Sequence, residues 1–320
     1  MKFRKLGSSE LVVSEIGFGA WGIGGATPGP TSYGKTDDNT SLAALECALA
    51  SGINFFDTSN VYGYGHSERL VGQAFSQRRS QVIIATKAGF VDYERPPDFS
   101  ATALLKSVSL SLARLETDYI DLLQLHNPSA DWLKANPVTL QALSRLKAEG
   151  KVRALGISVK QPDDAFPLLE LFPFQVVQAN FNMLDIRVLE SGLLQKLNDS
   201  GVGLIGRTPL AFGFLAGVLT GEETFAAQDH RSRWSREQIR LWAMGARDLL
   251  ACCEESIESP AYQVALRFCL SYPQVSTTIA GMLTPAEVAS NVLASEAGPL
   301  SLESCVQIEA LHKTRQFFVN

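Results

Sequence analysis

Four polar residues stand at or just beyond the ends of three consecutive apolar runs. Asp57 ends INFFD, Tyr62 follows five residues later in DTSNVYGYG, Lys87 ends IIATK and His126 ends LLQLH. A tyrosine titrates near pH ~10 and is a poor proton donor at neutral pH, but an ammonium beside it stabilises the phenolate. One pKa unit corresponds to about 1.4 kcal/mol, and a unit charge at about 4 Å contributes roughly 4 kcal/mol at an effective dielectric of about 20. A drop of about two units is therefore expected for Tyr62. Asp57 would hold Lys87 charged and aimed, and His126 could donate a hydrogen bond that orients a carbonyl oxygen. Such a set protonates a carbonyl oxygen while something else reduces the carbon. None of these groups supplies hydride, so a nicotinamide cofactor is implied. Taken singly, each has a structural explanation: a turn-stabilising aspartate, a packed tyrosine, a snorkelling lysine, a hydrogen-bonded loop histidine. Their occurrence on three successive runs favours a site.

The elements that would position them repeat along the chain. Eight short, nearly continuous apolar runs read as strands buried on both faces: 15–19, 53–58, 81–87, 119–126, 153–158, 175–179, 202–207 and 275–280. Helical stretches alternate with them at 38–50, 67–77, 100–115, 137–149, 163–171, 187–200, 237–256 and 285–294. Asp38, Ser100 and Thr284-Pro285 mark helix starts, and Gly52, Gly150 and Gly201 follow helix ends. Residues 2–6 and 11–13 flank the turn-forming GSSE and read as a hairpin. Eight βα units in one chain of 320 residues predict a (β/α)8 barrel with an N-terminal hairpin and a C-terminal helical extension, a single domain over 1–320. An open doubly wound sheet is the rival. In a barrel, Asp57, Tyr62, Lys87 and His126 share the C-terminal face, where barrel enzymes place their sites.

Gly17, Gly19 and Gly22 spell GxGxxG after the first run, with Asp37 and Asp38 further on. The dinucleotide fingerprint needs a helix to begin at its third glycine. Pro28, Pro30 and five glycines between 22 and 34 forbid that helix, so this stretch reads as a rim loop. The balance of 28 basic against 33 acidic residues, −5 net, lacks the basic footprint of a nucleic-acid binder. The longest apolar run, Leu210 to Leu219, is too short to span a bilayer, and Glu10 and Glu15 interrupt any signal-peptide core. Five cysteines without CxxC spacing suggest neither a disulfide framework nor a zinc site, and four histidines show no ligand spacing. No metal, nucleic-acid or membrane partner is expected, and the location expected is the cytoplasm.

DTSNVYGYGHSE, ATKAG, LLQLHNPS, ALGISV, VVQANFNML and TPLAFGFLAG, in that order, resemble the aldo-keto reductase family from Phe3 to about Ala294. The resemblance implies that Tyr62 is the general acid/base, that Lys87 and Asp57 tune it and that His126 orients the carbonyl. It implies NADP(H) extended across the rim. Ser158 and Gln178 would hold the carboxamide, with Arg207 stacked on the nicotinamide where many members place an aromatic. The backbone near Thr208 and Leu210 would lie on the pyrophosphate and Asn291 on the adenine. Gly19, Trp21, Asp57, Gly281 and Glu287 complete the expected cofactor wall.

Two departures stand out. Val159 follows Ser158 where many relatives place an asparagine. No Lys or Arg occurs between Arg267 and Lys313, where relatives that prefer NADPH grip the 2′-phosphate, and Glu287 would repel it. NAD(H) is therefore a candidate beside NADP(H), unless Arg231 or Arg233 reaches over from the long loop. Trp21, Phe90, Tyr93 and Asn127 are expected to line the substrate pocket, with Trp234 in a lid formed by 221–240. The substrate expected is a small carbonyl or alcohol, with a bulky or cyclic carbonyl or a sugar among the candidates. Two other readings remain: a Schiff-base aldolase using Lys87, and a cofactor-binding regulatory or channel-associated subunit.

Overall fold

The computed structural model describes residues 1–319. Strands β1 (Phe3–Lys5) and β2 (Val12–Ser14) form an antiparallel hairpin. Eight parallel strands then close into a barrel: β3 (Ile16–Gly19), β4 (Phe55–Asp57), β5 (Ile83–Ala88), β6 (Ile120–His126), β7 (Val152–Ser158), β8 (Val176–Asn180), β9 (Gly203–Arg207) and β10 (Val275–Gly281). They follow one another in chain order around the barrel, and β10 pairs with both β9 and β3. The open-sheet rival is thereby excluded.

Among the described residues twelve α-helices surround the strands: α1 (Asp38–Ala50), α2 (His66–Phe75), α3 (Ala101–Arg114), α4 (Ala130–Ala135), α5 (Pro137–Ala148), α6 (Ala165–Leu171), α7 (Arg187–Glu190), α8 (Leu193–Asp199), α9 (Arg236–Ala251), α10 (Ala261–Leu270), α11 (Pro285–Ala297) and α12 (Leu302–Thr314). Starts fall where capping chemistry asks for them: the side chains of Asp37, Ser100, Ser235 and Thr284 each accept a first-turn N–H. The single helix expected over 187–200 is two, because Gly192 adopts φ 74° between them. The helix expected over 237–256 ends at Ala251, and α10 forms separately behind Pro260.

The hairpin plugs the amino end of the barrel. Leu6, Leu11 and Val13 are buried against Phe55, Ala85, Leu122, Ala154, Val176 and Ile205, which point into the barrel from six strands. Gly7 and Gly203 meet backbone to backbone: a Cβ on Gly7 would lie 2.2 Å from the Gly203 nitrogen. Arg4 fastens the plug by donating to the carbonyls of Leu270, Tyr272 and Val275 and to Glu15. With that end filled, the open end is the carboxyl rim, where Asp57, Lys87, His126, Ser158 and Arg207 stand at or near strand ends.

Candidate active site

The barrel register places the end of β4 beside β5 and β5 beside β6, with Asp57 opposite Ala85 and Lys87 opposite Gln124. Lys87 is wholly buried. Its Nζ is ion-paired with Asp57 Oδ1 and also donates to the Thr58 carbonyl at 2.9 Å. The other Asp57 oxygen accepts from Gln124 Nε2 at 3.0 Å and Gln178 Nε2 at 2.8 Å. Gln124 escaped the sequence reading, although an amide within the apolar run LLQLH, two residues from His126 and so on its side of the strand, is a signal.

Tyr62 stands on the loop after β4, where Gly63, Tyr64 and Gly65 all adopt positive φ (57°, 52° and 88°). Gly63 has no alternative, since a Cβ there would lie 2.1 Å from the Gly24 carbonyl oxygen. The turn brings the Tyr62 ring to 4.9 Å from Lys87 Nζ and 6.3 Å from the His126 ring. The first turn of α2 fastens this loop to the neighbouring strands. Ser67 Oγ donates to the Ala20 carbonyl at 2.7 Å. Buried Glu68 accepts from Thr86 Oγ1 at 2.7 Å and Arg114 Nη1 at 3.0 Å. Glu68 was also missed; its signal is that it shares the buried face of α2 with Val71 and Phe75.

The electrostatics differ from expectation at Tyr62. Burial pushes its phenol well above the ordinary 10, Asp57 pushes it further, and Arg207 opposes them. Lys87 Nζ, 4.9 Å from the ring and ion-paired with Asp57, is not among the leading causes. Burial lowers the pKa of Lys87 itself while Asp57 pulls it back up. His126 is held well below 6.5 by burial and by the cations Lys87, Arg207 and Lys160, so its imidazole is neutral with one N–H to donate. Tyr62 is thus a phenol that holds its proton, not a near-phenolate.

A cavity of about 660 Å³ opens over these groups. Gly19, Trp21, Asp57, Tyr62, Tyr93 and His126 line its catalytic end. Gln178, Arg207, Thr208 and Leu210 form the next wall, and Gly281, Glu287 and Asn291 contribute from β10 and α11. Five expected residues lie outside this lining. Lys87 is beneath the floor, and Ser158 is buried at the end of β7. Phe90 and Asn127 line a second cavity of about 410 Å³ with Lys160, although the Phe90 ring also packs 5.1 Å from His126. Trp234 is a strut, packed 5.0 Å from Phe212 and 4.7 Å from Trp242.

Arg231 reaches the cavity from the long loop, as the sequence allowed, and Phe212 and Tyr33 line it too, although the sequence offers no period by which to choose those two. Their loops are joined across the rim: Ser32 and Asp229 form a parallel bridge, and the His230 N–H donates to the Ser32 carbonyl at 2.8 Å. Arg231 is held by Asp229 through Nη2 at 2.7 Å and Nε at 3.0 Å. Arg233 is absent from the lining.

A nicotinamide dinucleotide fits these residues. Gln178 and Arg207 stand on the wall beside Tyr62, and Arg207 Nε is buried without a partner. At the other end Glu287 stands in the first turn of α11: its Oε2 accepts from the Leu283 N–H at 2.6 Å, and its own N–H donates to the N-cap Thr284 Oγ1 at 3.2 Å. A carboxylate therefore occupies the helix start, which would otherwise favour an anion. Among the described residues, no group of three or more His, Cys, Asp or Glu could hold a metal, and no helix is long and apolar enough to cross a membrane.

Comparison with known proteins agrees with this geometry. The model of the aldo/keto reductase family matches residues 15–313. The chain is 32% identical to L-galactose dehydrogenase of Arabidopsis thaliana over 323 residues, covering 97% of this chain and 94% of that one. It is 29% identical to the NADH-specific methylglyoxal reductase of Escherichia coli (strain K12), covering 92% and 93%. Among solved structures it is similar to the holo form of aldo-keto reductase AKR11C1 from Bacillus halodurans, with TM-score 0.79 and 30% identity over 100% of this chain and 98% of that one. The chain belongs to the aldo/keto reductase family.

Proposed function

We propose that this oxidoreductase interconverts an aldehyde or ketone with its alcohol, using a nicotinamide dinucleotide. The observation that carries the reading is the gathering of Tyr62, His126, Gln178 and Arg207 around one cavity that Asp57 lines, with its ion-pair partner Lys87 buried beneath. The nicotinamide supplies hydride when bound. The carbonyl oxygen sits between the Tyr62 hydroxyl and the neutral His126 imidazole, which orients it by an N–H donor. Tyr62 gives its proton as negative charge develops on that oxygen, and a phenol held protonated by burial is a reservoir for this transfer. Asp57 and Lys87 keep the floor polar and fixed, with every Asp57 hydrogen bond made to a buried partner. Gln178 and Arg207 would hold the nicotinamide end of the cofactor and Asn291 the adenine end.

The preferred dinucleotide in this reading is NAD(H). Glu287 opposes a 2′-phosphate, and the one arginine on the cavity wall from the long loop, Arg231, is already paired with Asp229. The named specificity of the Escherichia coli relative points the same way. The substrate class is a small oxygenated carbonyl or alcohol, in keeping with the names of the relatives and with the Trp21 and Tyr93 walls. Five free cysteines suit the reducing cytoplasm. A Schiff base at Lys87 is disfavoured, since its Nζ is buried, bonded to Asp57 and Thr58, and absent from the cavity wall.

The test is titration of the protein with NADH and NADPH, following tryptophan fluorescence, then cofactor oxidation with a panel of small aldehydes and ketones. Saturable binding, tighter for NADH, is expected. Absence of binding by either at millimolar concentration overturns the reading.

A further inference from the structure

Arg207 ends β9 on the cavity wall. One hydrogen bond anchors its guanidinium, from Nη2 to the Val159 carbonyl at 3.1 Å, and its Nε is buried without a partner. Among the described residues no carboxylate makes an ion pair with it, whereas the neighbouring charges are matched: Lys87 with Asp57, and Arg231 with Asp229. Tyr62 and His126 are neutral. The catalytic end of the cavity therefore carries one unmatched positive charge, close enough to act on both Tyr62 and His126.

We infer that Arg207 makes the site prefer the reduced, neutral nicotinamide over the oxidised, cationic one. The inference rests on the nicotinamide reading above. A ring that delivers hydride to a carbon whose oxygen lies between Tyr62 and His126 must sit within about 3–3.5 Å of that carbon, which places it against the Arg207 wall. The two redox forms share their phosphates, riboses and adenine and differ by one charge on that ring. Their affinity difference therefore reads the local potential, which a half-buried cation with no carboxylate partner makes positive. Once the carbon has received hydride and the oxygen the Tyr62 proton, the oxidised ring is a cation facing a cation. The site stays loaded with the reduced form and releases the oxidised one readily, which suits carbonyl reduction. The accompanying cost is a smaller driving force for the transfer on the enzyme.

The experiment measures equilibrium dissociation constants of NADH and NAD⁺ by calorimetry, at neutral pH and low salt, for the native protein, Arg207→Met and Arg207→Lys. The native protein is expected to bind NADH about tenfold or more tighter than NAD⁺. Arg207→Met brings the ratio towards one, chiefly by tightening NAD⁺, and Arg207→Lys retains most of it. A native ratio near one overturns the inference, as does an unchanged ratio in Arg207→Met. Equal loss in Met and Lys also overturns it, because the guanidinium plane and not its charge would then be responsible. Binding of neither form to the native protein overturns the nicotinamide reading itself.

Discussion

Replacing Asp57 by asparagine tests how the site floor is held. The carboxylate is 1% exposed and takes Lys87 on one oxygen and two glutamine amides on the other. Asparagine leaves the Lys87 ammonium buried without a counter-ion and sets an amide N–H against donors. Removing one partner of a buried pair costs about 3–5 kcal/mol. Lysine can shed part of that by losing its proton, since burial already lowers its pKa and the opposing pull of Asp57 is gone. Its folded pKa then lies below the unfolded 10.5, so the unfolded chain binds more protons between the two values. Stability of the variant rises with pH across that window, by about 1.4 kcal/mol per unit for one proton, and falls as pH drops through it. The native protein has the same sign over a narrower window. Urea denaturation at about pH 7 and pH 9 should show a deficit of several kcal/mol that shrinks at the higher pH. A variant within about 1 kcal/mol of native at pH 7, or a deficit independent of pH, would refute the buried-pair account.

Tyr62→Phe keeps cofactor affinity, read by fluorescence, while turnover falls by about a hundredfold or more; near-native turnover would remove Tyr62 from the proton-transfer role. Glu287→Arg replaces the first-turn carboxylate with a cation and raises the NADPH:NADH affinity ratio by about tenfold; an unchanged ratio would show that this end of the cavity does not choose the dinucleotide. Turnover for carbonyl reduction is flat between about pH 7 and 9, because Tyr62 holds its proton beyond 10 and His126 is already neutral below that range. A pH–rate profile with an inflection inside the window contradicts one of those two assignments.

The barrel was legible because each strand is an apolar run bounded by turn residues, and because parallel strands buried on both faces need no alternation to be seen. Asp57, Lys87 and His126 were legible for a related reason: a polar residue closing such a run sits at the rim, and Tyr62 lies on the loop that follows the first of them. What escaped was what depends on packing across distant elements. Nothing local distinguishes Phe212, which lines the cavity, from Trp234, which props it, since both lie in an irregular stretch. The pKa direction of Tyr62 is not legible because the sequence shows Lys87 near it but not how far the fold takes the phenol out of water, and burial is the leading cause of the rise. Helix α10 is hidden in the sequence because the helical pattern of α9 runs on through the cysteine pair 252–253, whereas the chain breaks at the turn over Glu254–Ile257.

The hairpin at the barrel's amino end also orders events in time. Its residues are bound to partners far along the chain: the Lys2 N–H to Ser295, Arg4 to Leu270, and Gly7 against Gly203. A segment translated before β3 cannot reach its seat until α11 has been made, some 290 residues later. The entropy of closing that loop is repaid only once the strands have met. A segment translated ahead of every barrel strand is thus among the last to become ordered, and pulse-labelled amide exchange during refolding should find Lys2 protected after the β5–β6 ladder.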